Sequence, residues 1–301
     1  MSEPVKIFCR KCQSKYDVSA FPPFTEFACP ECGIILRTPK PFGRYLLEKL
    51  CTVSRSAEIY RAIDPVLQRR VAVKIADING VLPGIKELFY AEVKLFAQIS
   101  HAAIVPFYDC GTVGDKVFVV MQYMDGGDLG YHLKNGSLPT PDKLIDHMQN
   151  IASGLHLLQL GYKMVHHDVN PSNIMLTSAG EAKIGDFDLT VTQRPGNLIP
   201  GPTWGEIAYV SPERLRTGVE DHRGDIYSLG VTVYQLLNGR LPFESGAELP
   251  EILRHRSETF TELAALNPVV TPEISALVTA MLAPVPEDRP QYPEIIRALH
   301  L

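Results

Sequence analysis

The sequence predicts an α+β chain with a small cysteine-stapled module first, strands to about residue 124, and helices afterwards. Three observations carry this. Four of the six cysteines fall within the first 32 of 301 residues, as Cys9-x-x-Cys12 and Cys29-x-x-Cys32. Val71-Ala-Val-Lys-Ile75 alternates with the period of two that a strand requires. From Pro141 onward, apolar residues recur at the 3,4 spacing of a helix.

The bulk numbers bound the function class. Hydrophobic residues make up 45% and charged residues 21%, which excludes a disordered tail, a coiled coil and a collagen-like chain. A net charge of −5 provides no overall basic field for nucleic acid or an anionic membrane. The longest charge-free apolar stretch, Ile226 to Asn238, is shorter than the roughly 20 residues of a membrane span. No apolar signal-peptide core opens the chain, so a cytoplasmic location is expected.

Sixteen residues separate the two C-x-x-C knuckles. Each knuckle places two thiolates on one turn and the segment between can return as a hairpin, which fits a tetrahedral zinc site of Cys9, Cys12, Cys29 and Cys32. A pair of disulfides or a redox C-x-x-C suits a cytosolic chain that repeats the motif less well. A module of about 40 residues is also too small to bury a sufficient core, so a metal is its expected staple. It resembles the short zinc ribbons at the N-termini of many bacterial proteins, with Cys-Pro-Glu-Cys-Gly at residues 29 to 33 as the second knuckle. Six basic residues against four acidic ones between Met1 and Lys40 argue only weakly for nucleic acid, and a docking or structural ribbon is the expectation.

Pro39-Lys40-Pro41 predicts the boundary, since two prolines in three residues extend neither a helix nor a central strand. The ribbon is therefore expected over 1–40 and a second domain over 41–301. Within Val71 to Ile75, period two puts Ala72 and Lys74 on one face, opposite Val71, Val73 and Ile75. A lysine beside alanine on a strand face suggests a site. Ile85 to Ile99 reads as an amphipathic helix containing Glu92, and Val117 to Met121 as a buried strand. A long buried helix runs from Pro141 to Leu158, and a last one from Tyr292 to Leu301.

Directly after the long helix come Val165-His-His-Asp-Val-Asn-Pro-Ser-Asn-Ile-Met-Leu176 and Ile184-Gly-Asp-Phe-Asp188. Together they resemble the catalytic and metal-binding loops of bacterial Hanks-type serine/threonine protein kinases, and the resemblance covers Arg44 to His300 in family order. It implies a bilobal fold, with a β-rich N-lobe over about 42–124 and a helical C-lobe over about 125–301. Lys74 corresponds to the lysine on the nucleotide's α- and β-phosphates, and Glu92 to the helix-borne partner of that lysine. Asp168 corresponds to the aspartate that accepts the substrate hydroxyl's proton, and Asn173 and Asp186 to the magnesium ligands. Ile59, Ala72 and Met175 fall where the family sandwiches adenine, Met121 at the back of that pocket, and Gln122-Tyr123-Met124 at its hinge. Asp225 matches a buried helix aspartate, and Arg289 the partner of Glu213. The resemblance thus implies ATP, Mg2+ or Mn2+, and a protein substrate or signalling partner.

Several positions depart from the pattern. The phosphate loop has Thr52, Ser54 and Ala57 where the family keeps glycines that let backbone N–H groups approach phosphate. His167 replaces an arginine that holds a phosphorylated activation segment. Asn170 replaces a lysine beside the transferred phosphate, a loss on the order of 10²–10³ in rate, although its amide can still donate a hydrogen bond. Glu206 replaces a threonine contacting the catalytic aspartate, and Asp188 the glycine of Asp-Phe-Gly. Two readings follow: a serine/threonine kinase of reduced or specialised activity, or a pseudokinase acting as a scaffold or allosteric binding module.

Overall fold

The computed structural model describes residues 5–9, 11–53, 57–77, 93–187, 190–192, 206–243, 252 and 260–300. The chain divides into two compact units, one of residues 1–100 and 106–123 and the other of 101–105 and 124–301. The first is built mainly of strands and the second mainly of helices, the α+β division the sequence predicts.

The strand-rich unit opens with two short antiparallel hairpins. Strand β1 (Lys6–Phe8) pairs with β2 (Lys15–Asp17), and β3 (Glu26–Ala28) with β4 (Ile35–Arg37). Each hairpin turns through a cysteine knuckle of the same design, Cys9 to Cys12 between β1 and β2 and Cys29 to Cys32 between β3 and β4. Gln13 (φ 64°) and Gly33 (φ 73°) are left-handed, and donate their N–H groups to Cys9 O at 2.8 Å and Cys29 O at 2.9 Å.

A six-stranded antiparallel sheet follows: β5 (Lys40–Phe42), β6 (Tyr45–Val53), β7 (Glu58–Asp64), β8 (Arg69–Asp77), β9 (Phe107–Val113) and β10 (Lys116–Gln122), ordered β5-β6-β7-β8-β10-β9. The Pro39-Lys40-Pro41 boundary is thus built into the sheet, with Pro41 opposite Leu46. Proline is tolerated there because β5 is an edge strand. One sheet face buries Tyr45, Leu47, Tyr60, Val71, Val73, Ile75, Phe118 and Val120. Phe24 of the ribbon packs on this cluster, its ring stacked on Tyr60 at 6.2 Å between centroids, and its N–H donates to Thr38 O at 2.7 Å.

Of the expected helix from Ile85 to Ile99, residues 93–96 are helical and 85–92 lie outside the described residues, Glu92 among them.

The helical unit contains α1 (Leu129–Lys134), α2 (Pro141–Leu157), α3 (Pro212–Thr217), α4 (His222–Asn238), α5 (Leu263–Leu266), α6 (Pro272–Met281) and α7 (Tyr292–Ala298). Asp128 caps α1 by accepting Tyr131 N–H at 2.7 Å, and Pro141 takes the first turn of α2. Helix α2 relaxes into a π-helical turn, Leu158–Tyr162, that ends at left-handed Lys163. The charge-free run from Ile226 lies in α4, a helix buried nearly all round. Short antiparallel pairs complete the unit: β11 (Met164–Val165) with β14 (Val191–Thr192), and β12 (Ile174–Leu176) with β13 (Ala182–Ile184). Among the described residues, no helix is long and apolar enough to cross a membrane.

Candidate functional site

In the strand-rich unit, pairing register decides which side chains share a face. Lys74 lies opposite Ile59 on β7 and Val119 on β10, and Ala72 lies opposite Met121. Directly opposed residues of antiparallel strands point the same way, so Ile59, Ala72, Lys74 and Met121 share one face. The other face carries the apolar cluster. Gln122 ends β10 and donates its N–H to Pro106 O at 3.1 Å, and the chain passes between units at Tyr123 and Met124. Thr52 lies near the end of β6 and Ala57 precedes β7, while Ser54 lies outside the described residues.

In the helical unit, Asp168 is the centre of a hydrogen-bonded loop. Asn173 Nδ2 donates to Asp168 Oδ2 and to its carbonyl, each at 2.8 Å. Asn170 Nδ2 donates to Asp168 Oδ1 at 3.1 Å and to the same carbonyl at 3.2 Å, while its Oδ1 accepts Ser172 N–H at 2.9 Å. Asn170 therefore spends its donors on the aspartate, and the expected donor toward a transferred group is turned inward.

Asp186 reaches the same loop through the backbone. Gly185 N–H donates to Asn173 O at 3.0 Å, so the residues bearing the two expected metal-ligating side chains lie on neighbouring chain segments. Asp186 itself is left-handed, φ 59°, a conformation that costs on the order of 1 kcal/mol in an L-residue and persists where surroundings impose it. His166 ties the segments together. Its Nδ1 accepts Asp168 N–H at 3.3 Å, its Nε2 lies 3.2 Å from Gly185 O, and its ring packs on Phe187. Met175 stands on β12 opposite Lys183.

Fully buried Asp225 on α4 accepts the N–H groups of His166 at 2.7 Å and His167 at 2.8 Å. Burial raises the Asp225 carboxyl, with the His167 and His166 charges opposing. Glu206 is raised by partial burial and by the neighbouring Asp168 charge, with Lys134 opposing. The expected pair forms: Arg289 meets Glu213 with two 2.7 Å bonds. Asp188 lies outside the described residues.

Sequence reasoning missed a buried polar cluster beneath the loop around Asp168. Glu220 meets His167 Nδ1 at 2.7 Å and Arg214 at 3.3 Å. Glutamate is so seldom buried that only Gly224, beside Asp225, hints at room for it.

In the ribbon, the Sγ atoms of Cys9, Cys12, Cys29 and Cys32 all lie within 4.8 Å of one another. Cys9 and Cys32 are 3.5 Å apart, and Cys12 and Cys29 3.6 Å. Four thiolates about 2.3 Å from a tetrahedral zinc ion stand roughly 3.8 Å apart, so the cluster fits that metal. Tyr16 hydroxyl lies 3.1 Å from Cys29 Sγ, an outer partner for a ligand sulfur. Among the described residues this is the one cluster of His, Cys, Asp and Glu of metal-binding geometry, and His166 and His167 belong to none.

A family model for the protein kinase domain matches residues 54–300. The chain is 32% identical over 252 residues to the serine/threonine-protein kinase PknL of Mycobacterium tuberculosis, covering 82% of this chain and 62% of that protein. It is 31% identical over 270 residues to the serine/threonine-protein kinase PksC of Streptomyces coelicolor, 85% of this chain and 48% of the relative. It is 29% identical over 264 residues to the serine/threonine-protein kinase PrkC of Bacillus subtilis, 85% of this chain and 40% of the relative. The matched region thus spans about 40 to 62% of these relatives' length.

Proposed function

The chain belongs to the protein kinase domain family, and we propose that it is an ATP-dependent serine/threonine kinase of reduced rate carrying a zinc ribbon. The observation that supports this best is the loop around Asp168. Its carboxylate is held on both oxygens by amides, and Asn173 links it to the segment of Asp186, bonding Asp168 through its side-chain amide and accepting Gly185 N–H at its carbonyl.

Each residue then has a role. Asp168 orients the acceptor hydroxyl of a protein substrate and takes its proton. With Nδ2 on Asp168, Asn173 keeps its amide oxygen for Mg2+ or Mn2+, and Asp186 is the second ligand. The divalent ion, when bound, neutralises charge on the transferring phosphate. In the strand-rich unit, Lys74 serves the α- and β-phosphates with Glu92 as its partner. Ile59, Ala72 and Met121, with Met175 of the helical unit, contact adenine, and Gln122 to Met124 form the hinge. The ribbon, residues 1–40, holds zinc on its four cysteines and serves structure or protein docking. The protein works in the cytoplasm, on a nucleotide and a protein partner, without nucleic acid.

A second reading, a pseudokinase scaffold, draws on Asn170 and Glu206. The position of the transfer lysine carries an amide committed to Asp168, and a carboxyl stands close to that aspartate. Phosphate transfer from γ-labelled ATP to the protein itself and to a generic protein, with Mg2+ and with Mn2+, separates the two. Label in the wild type that vanishes in Asp168→Asn supports the kinase. Equal background in both at high enzyme concentration leaves a binding module.

A further inference from the structure

His167 is held at every polar group it bonds through. Its N–H donates to Asp225 Oδ1 at 2.8 Å, its carbonyl accepts Arg214 Nη1 at 2.7 Å, and its Nδ1 meets Glu220 Oε1 at 2.7 Å. That carbonyl belongs to the peptide joining His167 to Asp168. His167 is also left-handed, φ 66°, which an L-residue rarely adopts unless its surroundings impose it.

Glu220 is the hub of the arrangement. Its side chain is 2% exposed and takes His167, Arg214 and the Ser211 hydroxyl together. Arg214 bridges the carboxylate to the His167 carbonyl with one nitrogen, Nη1. Room for the carboxylate exists because residue 224 has no side chain: a Cβ on Gly224 would lie 1.9 Å from Glu220 Oε2. A buried carboxylate and guanidinium are poor stabilisers compared with apolar filling, so the pair is explained better by the geometry it fixes than by stability.

We propose that Glu220 and His167, braced by Arg214, form a positioning clamp that fixes the peptide plane from which Asp168 projects. Glu220, His167 and Arg214 are positioning residues that act through Asp168. The proposal rests on the kinase reading for its effect on rate, but the clamp itself is a property of the loop.

The test uses the full chain and three variants. Glu220→Gln keeps the shape and removes the charge. His167→Asn suits a left-handed backbone and is too short to span to Glu220. Gly224→Ala drives the carboxylate out of its place. Each is expected to lower kcat at least tenfold with KM for ATP within twofold, and to speed amide hydrogen exchange at His166 to Asp168 at least tenfold. The double variant of His167 and Glu220 should be no worse than the poorer single one, since both break the same link. Glu287→Gln, the loss of an exposed carboxylate, is the control. Lower melting temperatures with kcat and exchange at 166–168 unchanged would reduce the cluster to packing and overturn the clamp. If Glu220→Gln fails to fold, the other two variants decide. If the wild type transfers no more phosphate than Asp168→Asn, the kinase reading fails and hydrogen exchange alone judges the clamp.

Discussion

Arg289 grips Glu213 across 76 residues of sequence, Nη1 to Oε1 and Nη2 to Oε2, each at 2.7 Å. The guanidinium side chain has no exposed surface, and it also donates to the carbonyls of Arg223 at 2.8 Å and Ala283 at 2.9 Å. One side chain thereby fastens the start of α3 to the start of α4 and to the segment after α6. Arg289→Ala leaves a carboxylate without its partner, and is expected to cost about 3–5 kcal/mol in urea denaturation. Arg289→Lys should recover little, because an ammonium cannot fork onto both oxygens. An unchanged urea midpoint for the alanine variant would contradict the structure.

The ribbon gives a metal prediction. Purified protein should carry one zinc per chain by elemental analysis, Cys29→Ser should lose most of it, and a strong chelator should unfold the hairpins around Cys9 and Cys29. Protein that retains its fold and carries no zinc after purification with zinc present would remove the metal from the account.

Glu206 predicts a pH effect. Its carboxyl is raised by burial and by Asp168, so it stays neutral to a higher pH than an ordinary glutamate and gains charge only as pH climbs through that raised value. Below that value wild type and Glu206→Gln present the same neutral group. Above it, wild type adds a negative charge close to Asp168. The rate of the variant relative to wild type is expected to rise with pH, from near one below that raised value to about threefold well above it. A ratio that does not change with pH would dismiss the idea.

Gly126 lies where backbone, not a movable side chain, closes in. A Cβ there would stand 2.7 Å from Thr177 O and 2.8 Å from Leu176 O, while Gly126 N–H donates to Leu176 O at 2.9 Å. Gly126→Ala should destabilise by about 1–3 kcal/mol, read as a lower melting temperature, and an unchanged melting temperature would contradict this close approach.

What was legible in the sequence was what local spacing controls. Two C-x-x-C repeats foretold four sulfurs within bonding distance of one ion, because a knuckle is a single turn closed by its own backbone. The face shared by Ala72 and Lys74 followed from the two-residue period of a strand, and register then added Ile59 and Met121. The grip of Arg289 on Glu213 was carried by resemblance. Glu220 was hidden because its burial depends on a gap at Gly224 and a cation at Arg214, partners that no local pattern announces. Asn170 was legible only in part for a related reason: residue type fixes how many hydrogen bonds an amide donates, and only three-dimensional placement says to whom. The stacking of Phe24 on Tyr60 was equally silent, since an isolated aromatic in a small module looks like that module's own filling.

Strand β5 carries a practical lesson about where this chain can be cut. Lys40, Pro41 and Phe42 border the sheet beside Leu47, Leu46 and Tyr45. A truncation at the proline pair, the natural place to separate ribbon from kinase, would strip β6 of its neighbour and lay bare a row of unpaired amides and carbonyls. Such a fragment invites strand-to-strand association with its own copies, so it would be prone to aggregate for reasons unrelated to zinc. A cut that spares residues 38–44 keeps the sheet's border closed.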